Sequence, residues 1–137
     1  MKKLIVAGVL AAGLVASGAN AKTYICKVKP EGRDTGWISK TIAINVNDET
    51  GKVLVSDAII LSAFKEPIQA DLVVNTDKRL TVKWEISGEK DVFNVTYTRF
   101  QYRVTIFKAR GNRVTVKAQA AGYFKSLGAA GKCGVRN

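Results

Sequence analysis

Apolar and polar residues alternate one by one through most of this chain beyond residue 21. Leu80, Val82, Trp84 and Ile86 occupy every second position of one segment, and polar or charged residues fill the positions between them. The same period of two recurs within residues 38–46 and 113–120. Successive side chains of a β-strand point to opposite faces, so this pattern predicts half-buried strands. Since no comparable stretch has a helical period, we expect an all-β fold.

Clusters of Asn, Asp, Ser and Gly punctuate these segments at residues 47–51, 75–78, 87–90 and 110–112. Such residues favour tight turns because Gly and Asn tolerate positive φ. We predict strands at residues 23–29, 36–46, 52–60, 70–75, 79–87, 92–98, 100–109 and 113–120, and a short closing strand near 123–127. Residues 59–69, where an apolar run meets Pro67, are interpreted as a loop or one turn of helix. The composition of residues 128–134 indicates a flexible tail tethered by its cysteine.

The inward-facing positions change phase between Val92 and Lys108. They are odd-numbered through Tyr97 and even-numbered from Phe100 onward. A slip of one residue predicts a bulge or corner near Thr98 and Arg99. The predicted fold is a small antiparallel β-barrel or β-sandwich of about 8 strands, and the pattern is compatible with either architecture.

The first residues have the three parts of an export signal. Residues 1–3 are Met-Lys-Lys, an apolar run extends from residue 4 to about residue 16, and Ala-Asn-Ala ends at Ala21. We predict that residues 1–21 are a cleaved signal peptide and that residues 22–137 form a single exported β domain, periplasmic or secreted. A retained anchor is the alternative, but it needs about 20 apolar residues to span a bilayer.

Two cysteines, Cys26 and Cys133, lie near the two ends of the predicted domain. In an exported chain an even number of cysteines indicates a disulfide, which here would tie the first strand to the last. Closing so long a loop contributes about 4 to 5 kcal/mol in the chain-entropy model. Redox or metal-binding thiols are the alternative, although the pair lacks CxxC spacing and the chain has no histidine.

The net charge of +11 is concentrated in the C-terminal third. Residues 22–91 have equal numbers of acidic and basic side chains, whereas residues 92–137 have nine basic side chains and no acidic one. If residues 110–112 form a three-residue hairpin loop, Val104 lies opposite Ala118 and Ile106 lies opposite Val116 on the inner face. On the outer face, the same register places Arg103 opposite Gln119 and Thr105 opposite Lys117.

Arg99, Arg103, Arg113 and Lys117 are therefore predicted to form an anion-binding face with no acid nearby. In an exported bacterial protein its partners would be lipopolysaccharide phosphates, anionic phospholipid head groups, teichoic or acidic polysaccharides, or extracellular DNA. The alternative is a solvated face that only keeps the domain soluble. We predict a non-enzymatic binding protein of undetermined oligomeric state.

No catalytic or metal site can be assembled from the sequence, and no cofactor is implied. The chain has no histidine, the commonest general base and transition-metal ligand. Ser62 and Lys65 match an S-x-x-K string but lack its companion motifs. Paired carboxylates for catalysis remain conceivable among four acidic residues, Glu31, Asp34, Asp48 and Glu49, although nothing in the sequence places them face to face.

A second binding hypothesis concerns the barrel interior. The signal, the strand number and the terminal cysteines make the chain similar in outline to small exported β-barrels, including membrane-bound-type lysozyme inhibitors and lipocalin-like carriers. The inhibitors' Ser-Gly loop has no counterpart, and Gly36-Trp37 only approaches the Gly-x-Trp signature of lipocalins, so no family is assigned. The alternative function is a lipocalin-like carrier that holds a small apolar ligand among aromatic residues: Trp37, Trp84, Phe93, Tyr97 and Tyr102.

Overall fold

The fold was analysed in a computed structural model, which describes residues 21–32, 35–87, 99–122 and 125–137. The strands in this part of the chain are β1 (Ala21–Pro30), β2 (Thr41–Asn47), β3 (Val53–Asp57), β4 (Ile68–Asn75), β5 (Arg79–Ile86), β6 (Phe100–Phe107), β7 (Arg113–Ala120) and β8 (Leu127–Arg136). Helix α1 (Ala58–Phe64) connects β3 to β4, and 3₁₀ helices span Thr35–Trp37 and Lys108–Arg110. Each strand pairs antiparallel with the next, and β8 pairs with β1. The sheet is therefore a closed barrel rather than a sandwich.

The apolar side chains of the alternating segments are buried, and most of the polar side chains between them are exposed. In β5 the four apolar side chains at even positions, from Leu80 to Ile86, are buried, and in β7 the even positions from Val114 to Ala120 are buried. These side chains fill the inside of the barrel together with those of the other strands. The prediction of an all-β domain with its core on one face of each strand is confirmed.

Several predicted boundaries differ from the observed ones. The strand predicted at 36–46 starts only at Thr41, because the chain first forms the 3₁₀ helix that ends at Trp37. The strand predicted at 52–60 ends at Asp57, immediately before α1. Of the loop and the single helical turn considered for residues 59–69, a helix is observed, but it has seven residues and ends at Phe64, and β4 already begins at Ile68. Strand β4 has a bulge between Leu72 and Val74 that the pattern did not predict. The strand predicted at 92–98, and the phase change assigned to Thr98, lie outside the described residues.

The predicted and observed structures differ most in the C-terminal segment. We predicted a short strand at 123–127 and a flexible tail at 128–134, but residues Leu127–Arg136 form the ten-residue strand β8. Its Gly and Ala residues have low intrinsic strand propensity, so the segment has the composition of a loop. Pairing with β7 on one side and β1 on the other makes it a strand.

Cys26 and Cys133 are directly opposite each other in the β1–β8 pair and form a disulfide. Both are buried on the inner side of the barrel. The predicted disulfide is confirmed, and it connects positions 107 residues apart in the sequence. Ala21 is the first residue of β1, so the predicted cleavage after it would shorten β1 by one residue and leave the pairs from Lys22 onward in place.

Gly131 allows the two closing strands to approach each other. A Cβ built on Gly131 would overlap the backbone carbonyl of Lys27 on β1. A Cβ on Gly134, three residues further along β8, would have no heavy atom within 4 Å. Only one of these two glycines is therefore required by the space between the strands.

We predict that Gly131→Ala destabilises the barrel, whereas Gly134→Ala does not. The added methyl group at residue 131 must push the β1 backbone away, and such overpacking costs about 1 to 3 kcal/mol. At residue 134 the same change should be neutral or stabilise by up to about 1 kcal/mol, because it reduces the freedom of the unfolded chain. Urea unfolding of both variants measures the two free energies. Equal stability of the two variants would contradict the role assigned to Gly131.

Candidate functional site

Strands β6 and β7 carry the predicted anion-binding residues, but their register differs from the predicted one. Val104 lies opposite Val116 rather than Ala118, and Arg103 lies opposite Lys117 rather than Gln119. The turn takes five residues instead of three, because Lys108–Arg110 form a 3₁₀ turn before Gly111 and Asn112 adopt positive φ. The register moves by two residues, so every side chain remains on its predicted face.

The corrected register brings three cationic side chains together on the outer face. Lys83 on β5 lies opposite Arg103 on β6, which in turn lies opposite Lys117 on β7. All three are exposed. We call Lys83, Arg103 and Lys117 the central row. Neighbouring strands are about 4.8 Å apart, so the central row spans about 10 Å across the strands.

The central row lines a groove of about 450 Å³ on the outside of the barrel. Asp71, Glu85, Gln119 and Ser126 also line this groove. Gln101 lies beside Arg103 along β6 and donates a hydrogen bond from its Nε2 to Glu85 Oε1 at 2.9 Å. The groove thus combines three cationic groups with two carboxylates, side-chain amides and a hydroxyl group.

The prediction that no acid lies near the basic residues is wrong. Asp71 on β4 is opposite Lys83, and Glu85 is two residues from Lys83 on β5. The sequence analysis missed both because it considered only the acid-free C-terminal third, whereas the barrel places β4 and β5 beside it. Within the described residues, however, neither acid forms an ion pair with the central row. Among the described residues, the three cations therefore have no counter-charge in direct contact.

The four residues predicted to bind anions do not form one cluster. Arg103 and Lys117 are directly opposite each other, while Arg99 precedes β6 and Arg113 begins β7. Four residues of strand, about 13 Å, separate Arg99 from Arg103 and Arg113 from Lys117. Arg99 and Arg113 are exposed, and they lie toward opposite ends of the barrel.

Lys83 is the member of the site that the sequence analysis missed. Its position in the alternating pattern of residues 79–87 already placed it on the outer face. Its neighbour was not predictable, because a strand at 92–98 was placed between β5 and the Arg103 strand. Direct pairing of β5 with β6 makes Lys83 the neighbour of Arg103.

The interior near α1 holds a stack of aromatic rings. The ring of Trp37 stacks on Phe100 at 4.8 Å between centroids, and Phe100 and Trp84 each stack on Tyr102 at 5.3 Å. At these separations the rings fill the space between them. Three of the five residues assigned to a carrier site therefore pack within this one stack, and Phe93 and Tyr97 lie outside the described residues. The carrier function stays a prediction.

A buried carboxyl group lies close to this stack. Asp57 is the N-cap of α1, and its Oδ1 accepts a hydrogen bond from the Ile60 amide at 2.8 Å. Burial raises the pKa of Asp57, and the helix amides only partly offset this effect. The pKa of Tyr102 is also raised, first by burial and second by the charge of Asp57. The Tyr102 hydroxyl donates a hydrogen bond to the Trp37 carbonyl at 2.7 Å.

The acidic residues considered for catalysis are separated by the fold. Glu31 directly follows β1, whereas Asp48 and Glu49 lie in the turn after β2, at the opposite end of the barrel. Asp34 lies outside the described residues. In the S-x-x-K string, the Lys65 Nζ donates to the backbone carbonyl of Ser62 at 3.1 Å. The absence of enzymatic activity stays a prediction.

No helix in the part of the chain that the structure describes is both long and apolar enough to cross a membrane. No protein-family model matches this chain, and no curated protein sequence or solved structure matches it either. A function can therefore be inferred only from the chain's own residues.

We predict that the free energy of unfolding depends on the ionisation of Asp57. Because its folded-state pKa is raised, the folded protein binds the Asp57 proton more tightly than the unfolded chain does. The contribution of Asp57 to stability therefore falls as pH rises from the ordinary pKa of 3.8 through the raised value. Asp57→Asn removes this titration and keeps an oxygen that can cap α1. Urea unfolding between pH 4 and 7 compares the two proteins, and parallel curves would contradict the assignment.

We also predict that the central row lowers stability. Favourable cross-strand pairs contribute about 0.2 to 1 kcal/mol each, and like charges directly opposite each other are destabilising. The central row has two such like-charge pairs, whereas Asp71 opposite Lys83 is its one directly opposed pair of opposite charge in the described residues. The combined variant Lys83→Gln, Arg103→Gln and Lys117→Gln should therefore unfold at higher urea concentration than the unmodified protein at low salt. The difference should shrink in high salt because salt screens the repulsion. A less stable triple variant would show that the three side chains have a packing role instead.

Proposed function

We propose that this protein is a non-enzymatic binding protein, exported to the periplasm or secreted, that holds an anionic partner through the central row. The observation that carries the proposal is the placement of three exposed cations on three neighbouring strands, directly opposite one another and without an ion pair in the described residues. A disulfide is compatible with the oxidising compartment that export provides.

The repulsion among the three cations of the central row also supports the proposal, because it lowers the stability of the fold. A face that only kept the domain soluble would be more stable with acids and bases alternating across the strands. Acids lie close by at Asp71 and Glu85. The three cations nevertheless lie opposite one another on three neighbouring strands, with no acid between them. A bound anion would remove the repulsion and offset its cost.

The shape of the surface also supports the proposal. The central row lines a groove of about 450 Å³, with side-chain amides and a hydroxyl group beside the charges. Amides, hydroxyls and charged nitrogens are all hydrogen-bond donors, and bonds from charged donors to anions are the stronger ones. The groove can therefore orient an anionic group as well as attract it.

We predict that the triple variant Lys83→Gln, Arg103→Gln and Lys117→Gln elutes from a heparin column at clearly lower salt than the unmodified protein. The matched control replaces Lys22, Lys40 and Lys52 with Gln. These three lysines are also exposed, lie away from the groove, and change the net charge by the same amount. If the groove is the site, the control should elute close to the unmodified protein.

Titration with a soluble heparin fragment at several salt concentrations gives a second measurement. By analogy with nucleic acids, each lost contact to an anionic group lowers the slope of log K against log salt by about one. The triple variant should therefore lose up to about three units of slope. Equal losses in the triple variant and in its control would mean that the charge acts diffusely, and the proposal would be wrong.

A further inference from the structure

A second row of cations crosses the same surface. Arg79 on β5 lies opposite Phe107 on β6, which lies opposite Arg113 on β7. Arg113 lies opposite Lys132 on β8, and Lys132 lies opposite Lys27 on β1. We call the four cations Arg79, Arg113, Lys132 and Lys27 the distal row. All four are exposed, and no acid interrupts the row.

Threonines occupy the strip between the two rows. Thr81, Thr105 and Thr115 lie opposite one another on β5, β6 and β7. Thr81 is buried and Thr105 is half-buried, and their hydroxyls are 3.2 Å apart, so Thr115 is the exposed member of the three. Their side chains are much shorter than the Lys and Arg side chains on either side. The central and distal rows are four residues apart along each strand, about 13 Å. The outer face thus has two cationic borders and a low hydroxyl-bearing strip between them.

We propose that the partner is a linear acidic polysaccharide that crosses the threonine strip and contacts both rows, an inference that rests on the proposed function. A chain of this chemistry has anionic groups separated by uncharged hydroxyl-rich stretches. Its anionic groups match the two rows, and its hydroxyls match the exposed Thr115 and the amides of the groove. A small anion could occupy one row but could not span 13 Å or so between them.

The described aromatic residues of this face do not favour a single-stranded nucleic acid, whose bases need exposed stacking platforms. The ring of Phe107 is half-buried, and the guanidinium of Arg110 lies over it at 5.7 Å. Trp84 and Tyr102 are buried inside the barrel.

The exposed apolar side chains do not favour a membrane surface either. The large ones in the described residues are Leu61 and Phe64 on α1, Val73 on β4 and Val135 on β8. None of these four belongs to either row. Phe107, the apolar residue between Arg79 and Arg113, is half-buried beneath the Arg110 guanidinium, so the described part of this face offers little apolar surface to insert between lipid head groups.

The test compares heparin fragments of two lengths, a disaccharide and a decasaccharide, by calorimetry at one salt concentration. The distal variant carries Arg79→Gln, Arg113→Gln and Lys132→Gln. The control here is Lys22→Gln, Lys52→Gln and Lys65→Gln, because Lys40 adjoins Thr41, the β2 partner of Lys27. The disaccharide should bind the distal variant and the unmodified protein equally. The decasaccharide should bind the distal variant about 10- to 100-fold more weakly, the equivalent of one or two lost charge-assisted contacts.

The outcomes separate this inference from the function on which it rests. If neither fragment binds the unmodified protein better than it binds the central-row triple variant, the proposed function fails. If both fragments bind with the same affinity and the distal variant changes neither, the groove binds anions locally and the distal row has no part. The ratio of the decasaccharide and disaccharide affinities of the unmodified protein also tests whether the ligand spans both rows. This comparison needs no substitution that could affect folding.

Competition identifies the class of partner. An oligothymidylate of equal charge, and vesicles of phosphatidylcholine with one-third phosphatidylglycerol, are each added to the decasaccharide complex. The polysaccharide should remain bound at concentrations of either competitor that match its own charge. Displacement by the oligonucleotide would indicate a nucleic acid partner, and displacement by the vesicles would indicate a lipid surface; either result would overturn the inference.

Discussion

Pairing of the first strand with the last is the contact on which the barrel depends. Eight antiparallel strands in a row would leave β1 and β8 as open edges, and open edges are prone to pair with other chains. The β1–β8 pair removes both edges, and the Cys26–Cys133 bond holds it covalently. Gly131 is part of the same contact, since a side chain at its position would collide with β1. A strand with the composition of a loop is therefore held in place by its pairing with β1, by the disulfide and by the close approach at Gly131.

Closure of the barrel also determines how far the basic face extends. We use this name for the outer surface that carries the central and distal rows. The distal row continues from Lys132 to Lys27 across the β1–β8 pair, so an open sheet would interrupt it at that point. The central row lies on β5, β6 and β7 and does not need the closing pair. Two rows of similar chemistry thus depend differently on the fold, because only one of them requires that the barrel be closed.

The sequence predicted the parts of this structure that depend on local patterns. Side-chain alternation identified most strands and the face that each buries, and the position of Cys26 and Cys133 identified the disulfide. The sequence-based predictions were wrong where the pairing of neighbouring strands determines the structure. Strand β8 has the composition of a loop and is a strand because of β7 and β1. The register of Arg103 depended on a turn two residues longer than assumed, and the place of Lys83 in the site depended on which strand pairs with β5.

The basic face and the disulfide are linked through stability. The two rows contain four directly opposed like-charge pairs, Lys83–Arg103, Arg103–Lys117, Arg113–Lys132 and Lys132–Lys27. Like charges directly opposite each other are destabilising, and even about 1 or 2 kcal/mol is a large fraction of the stability of a small domain. Closing a loop of 107 residues contributes about 4 to 5 kcal/mol in the chain-entropy model, enough to offset that cost. Because the disulfide persists in an oxidising compartment, the export proposed for this protein would also be the condition under which its barrel can tolerate these directly opposed cations.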